Sequence, residues 1–160
     1  MVDGDLSVLD AAALGRVAAV GRLVAADPSL VSVRSPDGFT ALHYACFFGG
    51  PDVAALLLRA GADVGAVASN DMRVQPLHSA VASRRVEVVR LLVASGADVD
   101  AQQQGGYTAL QAASLHGMVE TASLLLAAGA DPSLVNDDGD RARDLAERSG
   151  SSAILERLDD

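Results

Sequence analysis

Few side chains in this sequence could do chemistry. Cys46 is the single thiol, and His43, His78 and His116 are the three imidazoles. A thiolate beside an imidazole makes a nucleophile, and a convergent set of such groups holds zinc. The signatures that would announce such sites, G-x-x-x-x-G-K-[ST], G-x-S-x-G, H-E-x-x-H and a strand-to-helix G-x-G-x-x-G, are absent. No nucleophile–base pair or ligand cluster is legible. No catalytic residue, metal or cofactor is therefore expected. Cys46 cannot form an internal disulfide and is expected to pack as a small hydrophobe.

Charge narrows the partners. Twelve arginines, with no lysine, face 21 acidic residues, for a net charge of -9. That balance repels phosphate backbones and anionic headgroups, so neither nucleic acid nor a membrane surface is an expected partner. The opening Met1-Val2-Asp3-Gly4-Asp5 is acidic where a secretory signal is basic. Apolar runs such as 124–130 are far shorter than the roughly 20 residues that cross a bilayer. A soluble, cytoplasmic protein is the expectation. Hydrophobic residues make up 50% and aromatics only 3%, so the core must be aliphatic.

The elements that position these few residues come from an internal repeat. Thr40-Ala41-Leu42-His43-Tyr44-Ala45 aligns with Gln75-Pro76-Leu77-His78-Ser79-Ala80, Thr108-Ala109-Leu110-Gln111-Ala112-Ala113 and Arg141-Ala142-Arg143-Asp144-Leu145-Ala146. The starts at 40, 75, 108 and 141 step by 35, 33 and 33 residues. Gly61-Ala62-Asp63, Gly96-Ala97-Asp98 and Gly129-Ala130-Asp131 keep the same steps, and Gly49, Arg84, Gly117 and Gly150 form a third anchor. Each unit reads as a small-residue helix starting at the Thr or its equivalent and ending at Gly, where a left-handed residue is tolerated. A second helix follows with aliphatics at helical spacing: Val53, Leu56 and Leu57; Val88, Leu91 and Leu92; Leu124 and Leu125. Such pairs bury their apolar faces only by stacking. His116 and Cys46 then lie two units apart. At roughly 10 Å per unit they cannot share an ion with bonds of about 2 Å.

Asp37-Gly38-Phe39-Thr40-Ala41-Leu42-His43 and Val74-Gln75-Pro76-Leu77-His78-Ser79-Ala80, with Gly61-Ala62-Asp63-Val64 and Gly96-Ala97-Asp98-Val99-Asp100-Ala101, resemble the ankyrin repeat. The resemblance spans essentially the whole chain. It implies an all-α solenoid of stacked helix-turn-helix units with projecting hairpin fingers, one domain over residues 1–160. Residues 5–35 would be an N-terminal capping pair, 36–68, 69–103 and 104–136 full repeats, and 137–158 the C-terminal cap. His43 and His78 would bridge backbone groups of adjacent turns. Two departures stand out. Two extra residues fall in the finger 65–74, which lacks an Asp-Gly turn, so its conformation stays open. Arg84-Arg85 replaces the usual Gly-His, so Arg84 is left-handed or that helix ends differently.

The resemblance also implies where a partner protein touches: the finger residues before the Thr and the two residues before the Gly of the first helix. Here these are Phe39, Val74 and Tyr107, with Ala13 and Leu14, Phe47 and Phe48, Ala82 and Ser83, and Leu115 and His116; Arg84 completes the set. Four of the five aromatics fall on these positions. Exposed aromatics grouped on one surface suit a binding hot spot. Phe47 and Phe48 folded over a neighbouring repeat or the N-terminal cap are the alternative. Arg73, Arg84, Arg85 and Arg90 form a basic spot in the second full repeat, and Asp131, Asp137, Asp138, Asp140 and Asp144 an acidic end. Either meets an opposite charge on a partner or is simply solvated. The expected function is a non-catalytic, monomeric protein-interaction module acting through its concave face and finger tips. A regulatory or inhibitory subunit of one intracellular enzyme is the alternative.

Overall fold

The computed structural model describes residues 6–159; the acidic opening at residues 1–5 and residue 160 lie outside the described residues. Within them the helices come in pairs: α1 (Val8–Ala13) with α2 (Val17–Ala26), then α3 (Ala41–Tyr44) with α4 (Pro51–Arg59). The chain continues with α5 (Pro76–Ala82) and α6 (Val86–Ala94), α7 (Ala109–Leu115) and α8 (Val119–Ala127), and α9 (Ala142–Ser149) and α10 (Ser152–Asp159). The longest has ten residues. Helices this short are marginal alone in water, so packing must hold them.

Packing runs in two layers. First helices touch first helices in the order α1, α3, α5, α7, α9, and second helices follow α2, α4, α6, α8, α10. Ala12, Ala41, Ala45, Ala80, Ala109, Ala113 and Ala146 are fully buried in the first layer, where a larger side chain would push the helices apart. A leucine in each of α3, α5, α7 and α9 (Leu42, Leu77, Leu110 and Leu145) is buried as well. Burying each such side chain contributes roughly 2–3 kcal/mol over leaving it in water.

A polar device fixes each first helix to the next unit. The Thr40 amide donates to Nδ1 of His43 at 3.1 Å, which leaves Nε2 protonated and donating to the Val74 carbonyl at 3.0 Å. His78 repeats this with the Gln75 amide (3.2 Å) and the Ala101 carbonyl (3.0 Å). Gln111 does the same with an amide: Oε1 accepts from the Thr108 amide at 3.0 Å, and Nε2 donates to the carbonyls of Leu134 (2.7 Å) and Asp140 (3.2 Å). In the last pair Asp144 keeps the first half, accepting from the Arg141 amide at 2.7 Å. Burial holds both His43 and His78 below the usual imidazole pKa, so the neutral tautomers these bonds need are the stable ones.

The first helices close with one shared bond, in which an amide reaches back five residues: Arg16 to Ala11, Gly50 to Ala45, Arg85 to Ala80, Met118 to Ala113 and Ser151 to Ala146. In four of them the residue before the donor is left-handed, with φ of 67° at Gly15, 58° at Arg84, 63° at Gly117 and 70° at Gly150. Arg84 therefore does adopt the uncomfortable conformation. Gly49 does not follow the pattern expected of it. Ala45–Gly49 form a single π turn, and the positive φ of 99° moves to Gly50. Gly49 is needed for proximity instead: a Cβ there would stand 2.1 Å from the Ala12 carbonyl oxygen.

The fingers are hairpins, with one β-bridge among the described residues, between Arg34 and Thr40. The finger left open by the sequence makes the same tip turn as its neighbours. The Arg73 amide bonds the Asn70 carbonyl at 3.2 Å, as Gly38 bonds Ser35, Gly106 bonds Gln103 and Gly139 bonds Asn136. Arg73, at φ 51°, occupies the glycine position. The two extra residues widen its base, where the Ala68 amide bonds the Val74 carbonyl at 2.8 Å. Adjacent tips are tied by amides of Ser69 to Gly38 (3.2 Å), Gln104 to Met72 (2.8 Å) and Asp137 to Gly105 (2.9 Å). The tips thus form one continuous strip.

Candidate functional site

The first finger and the first-helix end of the same repeat enclose an apolar groove. Phe39, one residue before the helix cap Thr40, contributes one wall. Its ring meets Tyr44 edge-on at 6.3 Å and the His43 ring at 5.5 Å. Tyr44 stacks on Phe48 at 6.5 Å, and Phe48 meets Phe47 edge-on at 4.6 Å. Together with Asp37 and Ser79 these rings line a cavity of about 230 Å³. Phe47 and Phe48 remain 39% and 56% exposed, which large apolar side chains reach only where no core covers them.

Arg85 builds this wall from the next repeat. Its Nε donates to the Phe47 carbonyl at 2.9 Å and its Nη2 to the Phe48 carbonyl at 2.8 Å. Ser83 adds a bond from its hydroxyl to the Cys46 carbonyl at 3.1 Å. These three bonds satisfy carbonyls at the helix end that have no partner inside the helix. They hold the π turn, and with it both phenylalanines.

The remaining expected contact residues separate. Val74 is buried, 8% exposed, and its carbonyl serves His43, so its side chain does not belong to the surface. That expectation is corrected: the Val74 side chain is packed into the interior instead. Tyr107 is half-buried two repeats away, outside the ring chain that runs from Phe39 to Phe47. Leu115 is half-buried, while His116 and Arg84 are exposed. Tyr44, absent from the expected set, joins Phe39 to Phe48. Its spacing four residues before Phe48 was the available signal. Of the basic spot, only Arg85 flanks the aromatics. Arg85 is engaged by carbonyls, and Arg84 instead borders a separate hollow of about 210 Å³ with Val86, Met118 and Glu120.

Burial pushes the Cys46 thiol far up, away from the nucleophilic thiolate. Among the described residues no group of three or more His, Cys, Asp or Glu side chains could hold a metal ion. Among them, too, no helix is long and apolar enough to cross a membrane.

A family model described as ankyrin repeats (3 copies) matches residues 8–103 and 77–158. The chain belongs to the ankyrin repeat family. Its architecture is the all-α ankyrin solenoid. Among curated relatives, the mouse B-cell lymphoma 3 protein homolog is 39% identical over 106 residues, 66% of this chain and 23% of that protein. The Drosophila melanogaster tyrosine-protein kinase Shark is 34% identical over 126 residues, 78% of this chain and 13% of the kinase. The human protein phosphatase 1 regulatory subunit 27 is 42% identical over 69 residues, 43% of this chain and 45% of that protein. The chain thus spans under half the length of each of these relatives. Ankyrin repeats generally mediate protein–protein interaction and are typically non-catalytic.

Proposed function

We propose that this ankyrin domain is a non-catalytic, monomeric and cytoplasmic binding module for another protein, with neither nucleic acid nor membrane as partner. The observation that carries the reading is the groove of Phe39, Tyr44, Phe47 and Phe48, left open on the face formed by fingers and first-helix ends. Apolar rings presented by a preformed scaffold bind at little ordering cost. Ser83, Leu115, His116 and Tyr107 would form the polar and apolar margin along the same concave face, with Arg84 at its outer edge beside the separate hollow. The domain is read as a cap at 5–35, repeats at 36–68, 69–103 and 104–136, and a cap at 137–158.

The test is Phe47→Ala/Phe48→Ala. Capture of partners from native extract should fall severalfold or more, while the melting temperature moves little. A melt lowered by tens of degrees with capture intact in the cold would mean that the rings are packing elements. The likeness to a phosphatase regulatory subunit supports a narrower second reading, in which the same face controls one enzyme. One stoichiometric enzyme among captured proteins favours that reading, and several weak partners favour a general adaptor.

A further inference from the structure

We infer that the groove takes a basic–apolar segment of its partner: one large apolar side chain in the aromatic trough, with an Arg or Lys beside it at the Asp37 rim. The inference rests on the binding reading above and specifies the partner's chemistry. Three observations carry it. The cavity of about 230 Å³ has the scale of a single large side chain and is walled mainly by rings. Asp37 is the one ionised side chain among its lining residues, and it sits exposed at the finger tip. The nearby cations are turned to other uses. Arg34 donates Nη1 to the carbonyls of Gly38 and Val67, both at 2.8 Å, and Arg85 is held by the carbonyls of Phe47 and Phe48.

The groove therefore presents a carboxylate and ring faces to an incoming chain, and both favour a cation. A guanidinium or ammonium near a ring face gains from the ring quadrupole, and Asp37 adds a direct ion pair. Asp71, exposed on the adjoining finger tip, and the net charge of -9 extend the attraction beyond contact distance. An acidic segment meets the opposite: Asp37 would be buried against like charge, with no guanidinium among the groove's lining residues to offset it. Ser79 is a further polar residue in the lining.

The test uses random 12-residue peptides displayed on phage, selected on the immobilised full chain and counter-selected on Phe47→Ala/Phe48→Ala. Groove-dependent clones should be enriched in Arg or Lys within two positions of a Leu, Met, Phe or Trp. The best clone, made as a fluorescent peptide, should lose about 2- to 5-fold in affinity to Asp37→Asn. Phe48→Ala should weaken it by about tenfold or more, and raising salt from 50 to 300 mM should weaken it further. Asp37→Asn leaves the finger turn intact, because the Asp37 group used there is its backbone carbonyl, which accepts from Asn70. Groove-dependent clones that are acidic or uncharged, or that ignore Asp37→Asn, would overturn the charge inference while leaving the binding reading in place. Clones that all bind the double alanine variant as well as the parent would overturn both.

Discussion

Two adjacent arginines should answer to mutation with opposite signs. Arg84 is left-handed, at φ 58°, and its side chain lies exposed beside the hollow of the second layer. An L-residue with a Cβ in that region costs about 1–2 kcal/mol, while glycine there costs some entropy in the unfolded chain. Arg84→Gly should therefore stabilise by about 0.5–1 kcal/mol. Arg85 does the reverse work. It donates two bonds, at 2.9 and 2.8 Å, to carbonyls at the end of the preceding repeat's first helix. Hydrogen bonds to charged groups are worth about 1.5–3 kcal/mol each, but these are solvent-exposed and their carbonyls can be rehydrated. Arg85→Ala should thus destabilise by about 1–2 kcal/mol in total. Urea unfolding followed by circular dichroism reads both. With a slope of about 2 kcal/mol per molar, midpoints should rise by roughly 0.3–0.5 M for Arg84→Gly and fall by roughly 0.5–1 M for Arg85→Ala. Arg85→Ala should also loosen the π turn and weaken any ligand of the groove, an effect Arg84→Gly should lack. Equal shifts of the same sign in the two variants would refute the division of labour between cap and conformational outlier.

Other expectations follow from the same geometry. His43 and His78 have folded pKa values below the unfolded value of about 6.5, chiefly through burial, so the unfolded chain binds more protons there. Their contribution to stability is complete above about pH 6.5 and declines as the pH falls through that value. His43→Gln/His78→Gln, which copies the arrangement at Gln111, should flatten the melting temperature between pH 7.5 and 5.5; an unchanged slope would contradict the neutral-imidazole account. Gly49→Ala forces a Cβ to 2.1 Å from the Ala12 carbonyl, backbone against backbone, and should cost roughly 2–3 kcal/mol in urea unfolding. Gly129→Ala, with nothing within 4 Å, should cost less despite its φ of 90°. Ala109→Asp puts an unpaired carboxylate at a fully buried site between first helices and should cost roughly 3 kcal/mol or more. A variant that melts like the parent would place Ala109 outside the core.

The order of the stack is written in the sequence alone. Each repeat touches only its neighbours, so a period of 33 to 35 residues encodes which helix lies beside which. The same logic makes the imidazoles at 43 and 78 readable, because a motif position that recurs faces the same neighbouring carbonyl each time. Other roles emerged only in three dimensions, wherever they depended on how close another repeat came. Gly49 looked like a left-handed helix end, yet it lies in a π turn close against the Ala12 carbonyl, and the positive φ falls at Gly50. Val74 looked like a finger contact, but its side chain is buried and its carbonyl takes the His43 bond. Arg85 looked like surface charge until its bonds to Phe47 and Phe48 were visible across the repeat boundary. Tyr44 and Tyr107 are both half-buried, but the Tyr44 ring lies between Phe39 and Phe48 whereas Tyr107 lies two repeats away. Periodicity fixes which repeats adjoin, but side-chain direction at a π turn or widened hairpin follows from packing distances that no single repeat contains.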